Sequence, residues 1–457
     1  MNFESALSPN ILIPIVHFAY LVSLFPIRRL IFYGTDSYGG ILSNRFRANL
    51  IKRRHLELVY PFWLLCSAIA VITVSKPMFQ VVAIFICLIF SRIFFIELRF
   101  KTIYRGCGAP GFMTYWILLY FFLIRMFEIS KVDKSQLISL MLLDLSLIFW
   151  SAGIFKYRAG YLSGKGIEFG LVNPMWCRNY RFIRFHLGPS STKFLNLSAV
   201  IVEILISLLL IQRADILVFA GLFLLMIMFI TLIPVRLGLL TLTMINIPFC
   251  IFLFLISIQS LDSTGLQAPG LTLIILHIYG VLLVFANIWN WLSFYSFPSP
   301  VVVRQMGGLC QRITGAIIWS VFNANITENF VQIEFSQSRK KVQSWESPAL
   351  RIQRNVHYNI MLANLALFPH YFPSLKDDFQ DRVLAVCRYV SPYKDSIARI
   401  RIFKLVHQSG NWSEKLFRTY MVDLKRNLVT TQENFVATSF SPDYFAVKAT
   451  LKIGSYE

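Results

Sequence analysis

SAGIFKYRAGYLSGKGIEFGLVNPMW, Ser151–Trp176, is where a long apolar stretch runs out into a polar loop studded with glycine. The run before it, residues 136–155, has the length a bilayer demands, about 20 mostly apolar residues. Any chemistry in this chain is expected near Lys156, at the end of that run. The whole sequence has the same character: 56% hydrophobic and 15% charged, with 42 phenylalanines. A soluble domain carries about 25% charge, so the composition is that of a polytopic membrane protein. The formal net charge of +21 admits a nucleic-acid partner. The Lys and Arg residues, however, gather in short connectors and in the tail, where they orient helices and face anionic lipid. The bilayer is the expected partner, and no nucleic acid.

Working outward, the candidate spans are 10–27, 58–75, 78–97, 110–127, 136–155, 194–212, 214–234, 237–258 and 270–294. The first is short and holds Pro14 and His17, so the expected count is eight or nine. Very short turns join 58–75 to 78–97 and 194–212 to 214–234, and each pair is expected to form an antiparallel hairpin. The connectors carry the orientation. Arg28, Arg29, Arg45, Arg47, Lys52, Arg53 and Arg54 stand against Asp36 alone. Arg99, Lys101 and Arg105 follow the third span. Lys156, Arg158, Lys165, Arg178, Arg181, Arg184 and Lys193 stand against Glu168 alone. These basic segments fall on one side if nine spans cross, and that side is cytoplasmic by the positive-inside rule. The intervening loops are poor in positive charge: Ser130–Ser135 is nearly balanced, and Gln259–Pro269 has no Lys or Arg. The N-terminus is then expected outside and the tail inside. Loss of the first span would move only the N-terminus. No cleavable signal peptide is expected, because Met1–Asn10 lacks a basic region and no small-x-small site follows.

From about Phe297 the composition becomes mixed, with Pro298 and Pro300 breaking the last helix. Val331–Phe335 and Arg399–Val406 alternate as strands do, and Asn355–Phe368 and Asp378–Val390 space their apolar residues as helices do. The chain therefore divides into a transmembrane helical domain over 1–297 and a soluble, basic α+β domain over 298–457. The tail carries 20 basic and 12 acidic residues, a surface that either lies against anionic headgroups or is simply solvated.

Seven cysteines are scattered without a CxxC pair, and the histidines are too dispersed for ligand spacing. Neither a disulfide framework nor a metal site is expected. The chain contains no P-loop, GxSxG or GxGxxG. His186 follows the aromatic-basic run RFIRF, which suits an interfacial amphipathic segment. Asn325-Ile-Thr and Asn411-Trp-Ser match the glycosylation pattern but fall on the expected cytoplasmic side.

Polar residues inside spans are costly unless they face other helices, water or substrate. Arg92, Glu97, Arg125 and Glu128 lie near span ends, where snorkelling or local pairing explains them. Asp144 is central in the fifth span, and Ser151, seven residues on, returns to nearly the same helical face. Glu203 is central in the sixth span and His277 lies in the ninth. For Asp144 and Glu203 an interhelical hydrogen bond is the alternative to function. Lys156 follows the small residues Ser151, Ala152 and Gly153, which admit close approach of a helix or ligand. A lysine beside apolar surface sheds its charge more readily and can act as a base. The alternative is an anchor at headgroup level.

The run SAGIFKYRAGYLSGKG resembles the segment that defines the HTTM membrane module of vitamin K-dependent gamma-carboxylases and their bacterial relatives. There an apolar helix ends in a small-Ala-Gly-x-x-Lys pattern, followed by an aromatic residue and a Gly-containing loop. RLGLLTLTMI, Arg236–Ile245, is similar to a later helix start of the family, and GTDSYGG (Gly34–Gly40) and GAPG (Gly108–Gly111) look like loops of its bacterial members. The resemblance runs over roughly residues 20–330, with the segment around Lys156 the specific part. It implies a membrane-embedded enzyme in which Lys156 is the base that deprotonates a lipid-soluble, quinone-like substrate, or one acting on a membrane-delivered peptide. Asp144, Glu203 and Arg236 would be its supporting polar groups. This chain differs from the carboxylases at Ile230–Leu232, where they carry a histidine-containing polar stretch, and in its short tail, so carboxylation itself is not carried over. A non-catalytic role, as transporter, peptide or toxin maturation helper, or subunit of a membrane complex, is the other reading.

Overall fold

A computed structural model describes residues 8–25, 53–93, 109–129, 134–158, 160–163, 166–212, 214–233, 235, 239–259, 270–294, 300–314, 328–337, 345–348, 358–359, 362, 376–392, 396–408 and 411–432. Over these residues the chain is mostly helical, and each candidate span holds a helix. They are α1 (Pro9–Leu24), α2 (Arg53–Ile72), α3 (Pro77–Ser91), α4 (Ala109–Ile129), α5 (Ser135–Arg158), α8 (Pro189–Leu210), α9 (Asp215–Ile230), α10 (Leu239–Gln259) and α11 (Gly270–Phe294). Two short helices, α6 (Ile167–Val172) and α7 (Tyr180–His186), connect α5 to α8, and α12 (Val301–Thr314) follows α11.

Three of these helices are long and apolar enough to cross a membrane, over Ser135–Tyr157, Pro189–Leu210 and Thr272–Trp289. The 22 residues of α8 rise about 33 Å, which matches a hydrocarbon core of about 30 Å. The apolar helices Pro9–Leu24, Leu58–Ile72, Pro77–Ser91, Asp215–Ile230 and Met244–Ile256 are shorter. Local sequence sets the starts. Ser8 accepts a hydrogen bond from the Asn10 amide and Pro9 follows it, while Pro77 and Pro189 open α3 and α8 at the position where a missing N–H costs nothing.

The helices pack in two arcs. One runs α1–α2–α3–α4, and the other continues from α1 through α10 and α9 to α8, with α5 lying against α8, α11 and α4. Helix α4 buries Met113, Trp116, Ile117, Tyr120, Phe121 and Ile124, a stripe at helical spacing. Helix α1, the doubtful first stretch, is fixed by polar contacts: His17 Nδ1 lies 2.8 Å from Ser67 Oγ, and Tyr60 donates to the Leu21 carbonyl. At the far end Arg125 donates to Gln80 and pairs with Glu128, which also takes Lys134. The outward faces are apolar: Phe79, Val82, Phe85 and Ile89 on α3, and Phe194, Leu197, Ile201, Leu205 and Leu208 on α8. Exposed apolar stripes of this length are what a bilayer covers.

The C-terminal part is a four-stranded antiparallel meander in the order β1 (Asn329–Gln337), β2 (Ser396–Gln408), β3 (Asn411–Asp423), β4 (Leu428–Gln432). The helix α13 (Lys376–Val390) packs on β3 and β4. The register sets Ile333 opposite Ile400 and Glu334 opposite Arg399. Ala398, Ile400 and Ile402 are therefore buried with Val383, Val386 and Cys387, while Glu334 on the other face pairs with both Arg399 and Arg401. Most of the helical stretch expected at Asn355–Phe368 lies outside the described residues, as does Asn325.

Candidate functional site

The antiparallel pair α5 and α8 is the most extensive helix–helix contact in the bundle. Gly153 is what lets it close. A Cβ there would sit 2.8 Å from Ile204 Cγ1 and 3.3 Å from the Val200 carbonyl oxygen. Deeper along the same seam, the Ser146 hydroxyl donates to the Ser207 carbonyl at 2.9 Å. Side chains on a helix lean toward its N-terminus. On antiparallel helices Lys156 therefore leans inward along α5 while Glu203 leans toward the loop end of α8, and the two converge. They form an ion pair, with Lys156 3% and Glu203 4% exposed. Lys156 is thus turned into the bundle, against Glu203. Glu203 Oε2 has no hydrogen-bond partner among the described residues.

The loop after α5 folds back over this pair. Gly160 takes φ of 85°, a left-handed conformation that glycine adopts without strain. Tyr161 then enters the interior, fully buried against α5 and α8. Burial holds its phenol well above the ordinary tyrosine range, and the carboxylates of Glu203 and Glu168 push the same way. Glu168 is buried as well. Its Oε1 accepts from the Gly166 amide and its Oε2 from Asn196 Nδ2, both at 2.8 Å, while Asn196 Oδ1 accepts from the Ile167 amide at 2.9 Å. Asn196 lies two turns from Glu203 on the same face of α8, so one stripe of α8 carries Thr192, Asn196, Glu203 and Ser207, all buried. A Cβ on Gly166 would collide with both Asn196 and Tyr161.

Below the loop the C-terminal sheet docks. Asn173, completely buried, donates from Nδ2 to the Asn329 carbonyl of β1 at 2.9 Å and accepts the Met175 amide on Oδ1 at 2.8 Å. Asn359 donates to the Met175 carbonyl, and Arg184 bridges the Val172 carbonyl and Glu414 of β3. Phe169 meets Trp412 edge-on at 5.3 Å. The stretch Ser151–Trp176 is therefore clamped between bundle and sheet.

Of the sequence candidates, Lys156 and Glu203 meet. Asp144 does not join them. It is three turns deeper on α5, about 18 Å along the axis at 1.5 Å per residue, and accepts hydrogen bonds from Trp116 Nε1 at 2.8 Å and Tyr120 at 2.9 Å. The Ser151 hydroxyl is spent on the Ile148 carbonyl of its own helix, so it does not extend a stripe from Asp144. Arg236, and with it Gly238, lies outside the described residues, as does the loop Gly34–Gly40. His277 faces outward and caps the Leu273 carbonyl. Tyr161, Glu168, Asn173 and Asn196 were not singled out by sequence. A glutamate eight residues after Gly160 and an asparagine seven residues before Glu203 were the only signals for them. Among the described residues no three His, Cys, Asp or Glu side chains group as metal ligands. Comparison with known protein families, with curated proteins and with solved structures finds no match for this chain.

Proposed function

We propose that this chain is a multi-pass membrane protein of the HTTM kind, with eight or nine spans, and a membrane-embedded enzyme whose base is Lys156. The observation that carries the reading is the buried Lys156–Glu203 pair, whose second carboxylate oxygen is unpartnered among the described residues. Transfer of the ammonium proton to Glu203 leaves a neutral amine and a neutral acid, and in a low-dielectric interior this exchange is far less costly than baring either charge. The amine is then the base, and Glu203 holds the first proton. A hydroxyl-bearing, lipid-soluble substrate suits the residues present, since Glu203 offers an acceptor oxygen beside the amine. A reduced quinone would supply an acidic hydroxyl and reducing electrons there. Tyr161, Glu168 and Asn196 close the loop side and limit water.

The test uses full-length protein in proteoliposomes with a reduced naphthoquinone as probe, following quinol loss in air over protein-free vesicles. The wild-type chain is expected to accelerate loss. Lys156→Met and the charge-free double variant Lys156→Met/Glu203→Leu are expected not to, although the double variant keeps its thermal stability. Wild-type rates in the double variant would remove Lys156 as the base. The absence of any rate in wild-type vesicles would remove the quinol. The second reading, a non-catalytic membrane subunit or helper, is favoured by the Ser146–Ser207 bond on the same seam. That bond makes the ion pair one more interhelical tie.

A further inference from the structure

Helix α7 has two faces with different partners. Arg184 turns inward, bonded to the Val172 carbonyl at 2.8 Å and to Glu414 at 2.6 Å, with its guanidinium 4.8 Å from the Tyr180 ring centroid. Phe182 and Phe185 turn outward, 66% and 87% exposed, and no described element covers them. Two bare phenylalanines on a seven-residue helix that is bolted to the sheet are not a folding requirement. They are an apolar surface held in place.

We propose that Phe182 and Phe185 insert into the surface of an anionic lipid bilayer, so that α7 fixes the C-terminal sheet against the membrane. Two observations name this occupant. The first is continuity: Leu187 and Gly188 lead directly into α8, whose outward stripe begins at Phe194, 70% exposed, and runs on through Leu197, Ile201, Leu205 and Leu208. The phenylalanines of α7 immediately precede that stripe in the chain, at the end of α8 that would leave the hydrocarbon. The second is charge. Arg178, Arg181 and Lys193 are exposed on the segment that carries the two rings, and between Gly166 and Ser198 the acidic residue Glu168 is buried. Aromatic rings on a basic segment whose neighbouring carboxylate, Glu414, is taken up by Arg184, match a boundary of acyl chains under anionic headgroups. The inference rests on α8 crossing the bilayer and is independent of the chemistry proposed for Lys156.

The experiment places a nitroxide label at Phe185→Cys, and separately at Phe182→Cys, in full-length protein reconstituted into vesicles. It compares collisions with oxygen, which partitions into lipid, and with a water-soluble nickel chelate. Unmodified chain supplies the background from native cysteines, and Lys425→Cys, on the exposed β3–β4 turn, is the aqueous reference. Leu205→Cys, on the outward face of α8, reports whether that helix is in lipid. A severalfold excess of oxygen over chelate at Phe185, intermediate between Lys425 and Leu205, supports the proposal. So does a larger excess in vesicles containing phosphatidylserine than in phosphatidylcholine alone, diminished by Arg181→Gln. Three results overturn it. A Phe185 label as wet as Lys425 places α7 in water, and one shielded from both agents places protein over it. A label indifferent to lipid charge removes the anionic surface. A wet Leu205 label instead sinks the spanning of α8, a separate failure.

Discussion

At the scale of single residues, the decisive arrangement is a charge pair in an apolar seam. Removing one partner of a buried ion pair strands the other charge and costs about 3–5 kcal/mol, whereas replacing both by apolar groups is often neutral or stabilising. Lys156→Met should therefore lower the apparent melting temperature in detergent sharply, and Lys156→Met/Glu203→Leu should recover most of that loss. A single variant as stable as wild type would show that water reaches Glu203 and that the pair is not desolvated. Both residues were legible in the sequence, because a charge in an apolar run stands out against its neighbours. Their meeting was not legible, since they lie 47 positions apart and pairing depends on the register of two helices. That register is set by Gly153, whose small size the sequence showed without naming the helix it meets, and by the Ser146–Ser207 bond, which has no sequence signature of its own. Asp144 shows the converse. It stood out equally well, yet Trp116 and Tyr120 satisfy it on another helix, three turns from Lys156.

At the scale of elements, the apolar periods located the helices closely, and β1, β2 and α13 fell where alternation and helical spacing placed them. Strands β3 and β4 carry mixed, half-exposed residues and gave no such signal: their order comes from the pairing of β3 to β2 and of β4 to β3. The dock between sheet and loop was equally hidden, because it rests on backbone groups that any residue would offer. Asn173 is the pivot. With Asn173→Leu, the Asn329 carbonyl and the Met175 amide each lose the bond to Asn173, at roughly 1–3 kcal/mol for a buried bond removed. Amide hydrogen exchange should then quicken tenfold or more at Val331, whose N–H faces the Met175 sulfur at 3.2 Å, while amides of α5 and α8 keep their protection. Uniform acceleration over helices and strands would mean that sheet and bundle unfold together, and unchanged rates would mean that the dock is held elsewhere.

For the whole molecule, two independent lines bear on which segments would share a side of the membrane under the proposed topology. The charge line counts Lys and Arg in the connectors and puts the segment after Lys156 and the tail together on the cytoplasmic side. The geometric line needs no charges. Hydrogen bonds join β1 to Asn173, and the bridge between Cys177 and Val235 ties the chain just after α9 to the same loop. From that loop the chain leaves along α8, so Val235 requires α9 to return, and the sheet requires α10 and α11 to leave and return again. On this topology four crossings, α8 to α11, separate the loop from the tail. Helix α9, at 16 residues, would on this topology be a span despite its shortness, with the bilayer thinning or the flanking residues adjusting to its rise of about 24 Å. Reporter fusions at Gly265 and at Glu457 should accordingly read opposite sides, with the Glu457 fusion cytoplasmic. A truncation fusion at Gly238 should read with Glu457. If Gly265 and Glu457 read alike, α11 does not cross and both lines fail together. If only Gly238 departs, α9 lies in the plane of the interface, and the loop that carries Lys156 is not tied to Val235 in the bilayer.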